Sequence, residues 1–561
     1  MIRHKVLFRA LLGVGLLGLA GYVSAAEIKI ANQDVGTGQG LDDSTPASPV
    51  GGNPGATRGE QARIVFQFAA DLWGAVLQSE VPVTVSASFA KLACTANAGT
   101  LGSAGATYIF GFEDPAPAGA LSNTWYHSAL FDALVGEDAA LGAADIRARF
   151  NGALGSPGCL EGASWYFGLD GRQPAGSINF LNVVLHEMAH GLGFSGFGNL
   201  ITGRPLAGLP DIYSTFVFDN SRQQNWYAMT PVERVAAAVN DGQLVFTGAN
   251  VRAEAPLWLT PTLMLRISAP APAVGDYAIN QAAFGPTASV ANFSGGIVAA
   301  VTGATAEGCV PFDNAAAVAG HLALVVRGTC AFTVKVENAQ NAGATGVIIA
   351  NNQPGTIVPG GTPANPVNIP VVSVSQADGN TLRAHLAGLT GGLALGSSLA
   401  GADAAGNVQL YAPSVLAQGS SFSHYDTRLT PNALMEYAIN PDLISQFTLD
   451  LTPALFKDEG WKLNEDHQQL LRCDTGIPTF VPGGLIVGAN VLAHAKLLAG
   501  AAASLGEYRA AIHNYASELA ADGLLSRHEA TRLDACLNPA ETRDQFNAWG
   551  MGAGHSASGK D

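Results

Sequence analysis

The chain has 561 residues, which is more than one ordinary hydrophobic core organises, so two to four domains are expected. Lys and Arg number 28 against 44 Asp and Glu, and the net charge of −16 disfavours nucleic acid and anionic membrane surfaces as partners. Only 13% of residues are charged and 67 are glycine, a composition typical of a loop-rich exported protein and not of a disordered one.

Residues 1–26 have the pattern of a signal peptide. A basic start with Arg3, Lys5 and Arg9 is followed by an apolar stretch over 10–23 and by small residues before Glu27. The apolar stretch is short for a membrane span, which favours removal over a retained anchor. The sequence therefore predicts a secreted, extracellular or periplasmic protein with no stable membrane insertion once the signal is removed.

The next 240 residues, 27–266, are predicted to form the first part of a catalytic domain. Gly, Pro, Ser and Thr dominate residues 27–60, which indicates an extended or flexible lead-in. Helical periodicity follows over 60–78. The alternation of apolar and polar residues then predicts strands over 81–89, 106–112, 145–151 and 164–169. This order indicates an α+β arrangement in which the following helix lies beneath a sheet.

That helix carries the run LNVVLHEMAHGLGF at residues 181–194, with Ser177 as its expected N-cap. His186 and His190 are four residues apart, so their rings project from one side of the helix and can share one Zn²⁺. Glu187 lies beside them and can reach a water at the metal. Two histidines and a glutamate in so apolar a helix would be costly without a partner, which favours a metal site over chance.

Residues 267–410 are predicted to be a separate α/β domain that begins with a linker or domain edge at 267–277. Strands are predicted at 321–328, 345–352 and 369–375, and helices at 332–343 and 376–386. The stretch from Gly308 to Gly379, with RGTCAFTVK and AGATGVII, resembles the protease-associated (PA) domain of exported peptidases. The resemblance implies a non-catalytic domain that binds or gates substrate; a plain spacer is the alternative.

Residues 411–465 are predicted to complete the catalytic domain, with a helix that begins near Thr452. Residues 466–545 are predicted to form a small helical region in which His494, His513 and His528 are surface residues, and residues 546–561 a disordered tail. Six cysteines in an exported chain indicate three disulfides, for which fifteen connectivities exist. Their placement in three regional pairs favours Cys94–Cys159, Cys309–Cys330 and Cys473–Cys536.

A catalytic zinc needs a third protein ligand. The HEMAHGLGF run resembles the leishmanolysin-type branch of the metzincins, in which the third His lies past an insertion and shortly before a methionine turn. His424, eleven residues before Met435, matches that arrangement. The resemblance implies a metzincin-like catalytic domain interrupted by the PA domain, with Met435 beneath one Zn²⁺; it gives no indication about Ca²⁺. The other candidate ligands are Glu233, Asp211 and Asp219.

These patterns predict a secreted zinc endopeptidase that acts on proteins or peptides, with Glu187 as general base. Tyr437 is a candidate catalytic residue because related branches place a Tyr two residues after the methionine; a packed core Tyr is the favoured alternative. The other functions considered are an exported binding or adhesion protein, a two-zinc aminopeptidase and a serine hydrolase. An aminopeptidase would need a Glu-Glu pair that the chain lacks, and the run around Ser195 lacks the final glycine of a nucleophile elbow, because Phe197 stands there.

Overall fold

A computed structural model describes residues 25–550, which divide into two compact units. Unit 1 contains the chain up to Leu259 and again from Gly401 onward, and unit 2 is Thr260–Ala400. The predicted signal peptide falls outside the described residues except for its last two, and so does most of the predicted tail. Within residues 25–550, none of the helices combines the length and apolar character that a membrane crossing requires.

The first part of unit 1 contains twelve strands and six helices among its described residues. The strands are β1 Ile28–Asn32, β2 Leu77–Gln78, β3 Val83–Ala90, β4 Gly102–Ala106, β5 Ile109–Gly111, β6 Trp125–His127, β7 Ile146–Asn151, β8 Ser164–Tyr166, β9 Ser177–Asn179, β10 Val217–Asp219, β11 Gln224–Asn225 and β12 Leu244–Phe246. The helices are α1 Arg58–Val76, α2 Ser128–Val135, α3 Phe180–Leu192, α4 Ile212–Thr215, α5 Pro231–Ala237 and α6 Ala249–Trp258.

The main sheet of unit 1 has the strand order β1-β3-β7-β4. β1, β3 and β7 run parallel, and β4 lies antiparallel to β7 at one edge. Alternate residues of β3, such as Val83 and Val85, are buried while Thr84 between them is half-buried, which is the period-2 pattern that predicted this strand. Of the two alternatives predicted for 27–60, extended or flexible, the first holds at β1, because Ile28 pairs with Val83 across the sheet.

Helix α3 lies against this sheet and is completely buried. Its N-cap is Asn179, whose side chain accepts hydrogen bonds from the amides of Leu181 and Asn182. The prediction of Ser177 as N-cap was wrong because Ser177 is the first residue of β9, which pairs with β8. The helix ends at Leu192, and Gly193 follows as its C-cap. A side chain at Gly191 would clash with Ile146 of β7, so this glycine allows the helix to approach the sheet closely.

Unit 2 consists of a sheet with short helices. Its strands are β13 Pro261–Ala269, β14 Gly275–Ala278, β15 Asn280–Gln281, β16 Ser294–Ala299, β17 Leu322–Val326, β18 Gly346–Ala350, β19 Val371–Val374 and β20 Thr390–Leu399. Its helices are α7 Ala315–Val318, α8 Phe332–Asn341 and α9 Gln376–Ala384. β16 to β19 are parallel neighbours in one eight-stranded sheet, as a βαβ element requires.

The segment 267–277, predicted to be a linker or domain edge, lies near the start of unit 2 but forms part of its sheet. Its first residues lie in β13 and its last residues in β14, and these two strands pair antiparallel. Unit 2 accordingly begins and ends earlier than the predicted limits of 267 and 410. β13 pairs along most of its length with β20, so the first and last strands of the unit lie side by side.

The second part of unit 1 begins with a long irregular segment that includes only the short strand β21 Val408–Gln409. Its remaining elements are α10 Thr452–Glu459, β22 Lys462–Leu463, β23 His467–Leu470, β24 Cys473–Pro478, α11 Val487–Ala501, α12 Leu505–Ala521, α13 Arg527–Cys536 and α14 Pro539–Trp549. The tail was predicted to begin at 546, but α14 continues to Trp549.

All six cysteines are paired, as their regional placement predicts. The disulfides are Cys94–Cys159 and Cys473–Cys536 in unit 1 and Cys309–Cys330 in unit 2. Cys94, Cys159, Cys309 and Cys330 all lie outside the helices and strands, so their two bonds restrain loops. Cys473–Cys536 instead joins the start of β24 to the end of α13.

Candidate metal centre

Three histidine rings from two distant parts of the chain meet in unit 1. His186 and His190 project from α3, and His424 comes from the irregular segment after β21. The Nε2 atom of His424 lies 3.2 Å from those of His186 and His190, and the latter two are 3.1 Å apart. Three nitrogens this close to one another can all face a single point about 2 Å from each, which is the zinc–nitrogen distance.

A backbone carbonyl fixes the orientation of each ring. The Nδ1 atoms of His186, His190 and His424 lie 2.7, 2.8 and 2.8 Å from the carbonyl oxygens of Leu434, Phe194 and Ser420. Because a carbonyl only accepts hydrogen bonds, each Nδ1 carries the proton and each Nε2 presents its lone pair. This arrangement is the one that metal-bound histidines adopt.

The electrostatic environment keeps the three rings neutral. Burial lowers the pKa of His186 to about 3 and that of His190 to about 4, and it lowers the pKa of His424 as well. Neighbouring rings reinforce the effect for His186 and His424. Neutral imidazoles are the form that binds a cation, so the donor set fits Zn²⁺ and leaves a fourth position free of protein ligands.

Glu187 lies against the edge strand β4. The side chain is buried, and burial raises its pKa to about 8, although a hydrogen bond from the Ala104 amide opposes that rise. A Cβ atom at Gly102 would lie 2.5 Å from the Glu187 Oε1, so only glycine leaves room for the carboxyl group here. The carboxyl group is thereby held against β4, in the same cleft as the three histidines.

Met435 and Tyr437 follow the segment that carries His424. Met435 is fully buried, and its carbonyl accepts a hydrogen bond from the Tyr425 amide. Tyr437 is 45% exposed and stacks on Tyr411 with ring centroids 4.2 Å apart. The expectation of a packed core tyrosine was therefore wrong. Tyr437 instead lines the same cleft as His186, Glu187 and His190.

The alternative ligands are occupied elsewhere. Glu233 is half-buried and forms a capping box with Thr230 at the start of α5. Asp211 accepts hydrogen bonds from Ser214, Tyr227 and the Phe197 amide. Asp219 pairs with Arg222 and Asn240. Among residues 25–550, the only cluster of potential metal ligands is His186, His190 and His424.

A cleft with a volume of about 590 Å³ opens over the histidines. Its walls come from the segment Ala98–Ala104, the segment after Cys159, helix α3 and the segments on either side of His424. The lining residues are small or uncharged apart from the three histidines and Glu187. Sequence analysis missed the wall at Ala98–Ala104, because its Gly, Ser and Ala residues have neither strand propensity nor a strong apolar alternation.

Several buried polar residues near the site were also missed. Asp450 accepts a hydrogen bond from the Leu434 amide at 2.5 Å, directly behind the carbonyl that orients His186. His127 lies 2.8 Å from the Ser195 hydroxyl, which borders the cleft. No local motif identifies these residues, since each partner lies many positions away in the chain.

The histidines of the helical region lie outside the site, but one of them is not a surface residue. His494 is half-buried, with its ring 4.8 Å from Phe68 and 4.0 Å from Tyr515, and burial lowers its pKa to about 4. His513 and His528 are exposed, as predicted. The prediction of a surface position for His494 failed because α11 packs against α1, an element more than 400 residues earlier.

Comparisons with known proteins identify one part of the chain. A family model described as PA domain matches residues 293–382. No curated protein is similar enough to match. Among solved structures, BSAP, a zinc aminopeptidase from Bacillus subtilis, is 22% identical over 27% of this chain, with a TM-score of 0.19. An aminopeptidase from Aneurinibacillus is 22% identical over 26%, with a TM-score of 0.18.

The chain spans only 37% and 36% of the lengths of these two aminopeptidases, and likeness at this level carries no argument about the site. The comparisons do not support the leishmanolysin-type resemblance of unit 1, which stays a prediction. The family match lies within unit 2, between β16 and α9, where the sequence motifs placed it. The chain therefore contains a PA domain.

Proposed function

We propose that the chain is an exported zinc-dependent endopeptidase whose metal ligands are His186, His190 and His424. The observation that carries this proposal is the convergence of three neutral, oriented Nε2 atoms beside a buried carboxyl group in an open cleft. The predicted signal peptide and the three disulfides support export.

The chain's own residues supply the acid–base chemistry. Zinc, when bound, would polarise both a water molecule and the scissile carbonyl, and its charge would lower the raised pKa of Glu187 so that the carboxylate is available as a base. Glu187 accepts the proton of that water as the water attacks, and then donates a proton to the leaving amine. Its buried position between α3 and β4 keeps the carboxyl group at a fixed place beside the histidines, so little reorganisation precedes the proton transfer.

The lining of the cleft favours cleavage inside a chain over removal of a terminal residue. An aminopeptidase needs an acidic group that pairs with the free α-amino group of its substrate. Glu187 is the one acidic side chain in the cleft wall, and the proposed mechanism already uses it. Apart from the histidines, the other residues of the walls are uncharged, which suits an extended peptide that passes through.

The decisive variant is Glu187→Gln, which keeps the shape of the side chain and removes its basicity. We expect the variant to bind one zinc per chain while hydrolysis of labelled casein falls by about a thousandfold or more. Glu233→Gln, on a helix cap, is the matched control and should behave as wild type. Near-normal hydrolysis by Glu187→Gln would refute the mechanism.

A second experiment separates endopeptidase from aminopeptidase activity. An internally quenched peptide with an acetylated amino terminus should be cleaved as well as its unblocked form. A strict requirement for the free amine would refute the endopeptidase proposal. A wild-type protein that binds zinc and cleaves neither peptide would favour the alternative, an exported binding protein on a peptidase-like scaffold.

A further inference from the structure

The three metal-ligand candidates differ in how their rings are held. The carbonyls that orient His190 and His424 belong to Phe194 and Ser420, each four residues away in the chain. The carbonyl that orients His186 belongs to Leu434, which lies 248 residues away. Local backbone geometry therefore fixes two of the rings, whereas the third depends on the position of a distant loop.

That loop is held from behind by one carboxyl group. The Leu434 amide donates a hydrogen bond to Asp450 Oδ2 at 2.5 Å, while the Leu434 carbonyl faces His186 at 2.7 Å. Leu434 is therefore the only residue between Asp450 and His186 in this series of hydrogen bonds. Leu434 is buried, and water does not replace either of its hydrogen bonds if one partner is lost.

Asp450 is itself firmly placed. It is 3% exposed, and its Oδ1 accepts hydrogen bonds from the amide and the hydroxyl of Thr452 at 3.2 and 3.1 Å. Its φ of 45° lies in the left-handed region, which costs free energy for any residue with a side chain. Such a conformation persists only when surrounding contacts impose it. For Asp450 one of these contacts is the hydrogen bond from Leu434, in the loop that orients His186.

We propose that Asp450 is a positioning residue for the metal centre: it holds the Leu434 carbonyl in place and thereby sets the affinity of the site for zinc. This inference rests on the proposed function in so far as it takes His186 as a zinc ligand. It does not require that the protein cleave peptides. Loss of the Asp450 contact should let the Leu434 carbonyl move and should release the ring of His186 from its orientation.

The test compares two buried carboxyl groups of the same region. Asp450→Asn leaves one acceptor oxygen where the carboxyl group uses two, for Leu434 and for Thr452, with little change in volume. Glu436→Gln is the matched control. Glu436 is 1% exposed and accepts a hydrogen bond at 2.9 Å from the amide of Ala433, the residue before Leu434. Glu436 makes no contact with the Leu434 amide or carbonyl among the hydrogen bonds of residues 25–550.

Zinc affinity is measured by equilibrium competition with a chromogenic chelator on the full chain, and the metal-free proteins are compared by thermal unfolding. We expect Asp450→Asn to weaken zinc binding by roughly tenfold to a hundredfold. The zinc affinity of Glu436→Gln should stay within about threefold of wild type. If the two variants unfold at similar temperatures, a general loss of stability does not explain the difference between them. The visible spectrum of the cobalt-loaded protein should change in Asp450→Asn alone, because it reports ligand geometry and not stability.

Wild-type zinc affinity and an unchanged cobalt spectrum in Asp450→Asn would overturn the inference, and so would an equal loss of affinity in both variants. If Asp450→Asn does not fold, Asp450→Ser retains a short acceptor and carries the same measurement. Failure of the proposed function would appear differently, as a wild-type protein that does not bind zinc, or that binds it and cleaves no peptide.

Discussion

Units 1 and 2 both surround parallel strands with helices, but they bury different side chains. In unit 2, residues 260–400, the only buried charged side chain is Lys335, and its ammonium group donates to the Glu307 carbonyl at 2.7 Å. The rest of the buried core in unit 2 is mainly Val, Leu, Ile and Ala. Unit 1 buries the three clustered histidines, Glu187 and several further carboxyl groups.

This difference indicates where the chemistry lies. A buried ionisable group costs free energy unless hydrogen bonds or a cation compensate it, so a unit that retains many of them has a reason besides stability. In unit 2, residues 260–400, no group of three potential metal ligands comes together. If this is right, changes in unit 1 should alter zinc binding and peptide hydrolysis, whereas matched changes in unit 2 should not.

The largest effect is expected for His424→Ala. Two histidines would remain, which leaves zinc under-coordinated, so stoichiometric binding and peptide hydrolysis should both be lost. Zinc content after dialysis against a weak chelator and hydrolysis of labelled casein give the two readouts. His321→Ala, an exposed histidine of unit 2, is the control. If His424→Ala still binds one zinc and cleaves casein, His424 is not the third ligand.

The disulfides of the two units should differ in what they support. Cys94 lies beside the cleft wall, with its Cβ 2.5 Å from the place a Cβ would take on Gly99, and Leu160 next to Cys159 lines the cleft. Replacing both cysteines by serine should cost about 2–4 kcal/mol of stability and lower peptide hydrolysis.

The matched control is the double serine variant of the Cys309–Cys330 pair in unit 2. It should lower the stability of unit 2 and leave hydrolysis of a short peptide unchanged. Equal losses of hydrolysis in the two double variants would contradict the assignment of the cleft wall to the Cys94–Cys159 loops.

The buried acids of unit 1 should make its stability depend on pH. Burial raises the pKa of Asp132 to about 7, helped by the nearby carboxyl of Asp145, whereas the unfolded group titrates near 3.8. The folded state therefore binds more protons than the unfolded state, and stability is lost as pH rises from about 4 to about 7. At pH 8 the free energy of unfolding of Asp132→Asn should exceed that of wild type by about 2 kcal/mol, so the variant unfolds at a higher denaturant concentration.

That advantage should shrink as the pH falls towards 4, which denaturant titrations at several pH values measure. Glu80→Gln, an exposed carboxyl of the same unit, is the control and should show no such trend. A constant difference between Asp132→Asn and wild type across this range would mean that the carboxyl pair does not titrate as proposed.

Tyr437→Phe sharpens the role of the exposed ring in the cleft. If its hydroxyl donates a hydrogen bond to the developing oxyanion, kcat should fall by roughly tenfold while zinc content stays unchanged. Tyr411→Phe keeps the stacked pair and removes the neighbouring hydroxyl, so it is the control. An unchanged kcat in Tyr437→Phe would assign the ring to substrate packing.

Local patterns predicted much of both units. The helix with His186 and His190 has a strong apolar periodicity, and the strands and helices of unit 2 follow one another with clear alternation, so neighbouring residues suffice to identify them. β1 was missed because its five residues are stabilised by pairing with β3, more than 50 residues later. The wall at Ala98–Ala104 and the role of Asp450 depend likewise on distant partners, which a local pattern does not reveal.

The smallest effect is expected when unit 2 is removed altogether. The Ala400 amide donates a hydrogen bond to the Thr260 carbonyl at 2.9 Å, so the two ends of unit 2 are adjacent and a short Gly-Ser linker can replace residues 260–400. The two parts of unit 1 are joined directly by the pairing of β12 with β21, in which Val245 lies opposite Gln409. The shortened protein should therefore bind one zinc and cleave a short quenched peptide within about threefold of wild type, and a changed rate on casein alone would assign unit 2 to the selection of large substrates. Zinc content and kcat/KM for the short peptide decide the matter, since a folded variant that lost its zinc would show that unit 1 does not hold the metal centre on its own.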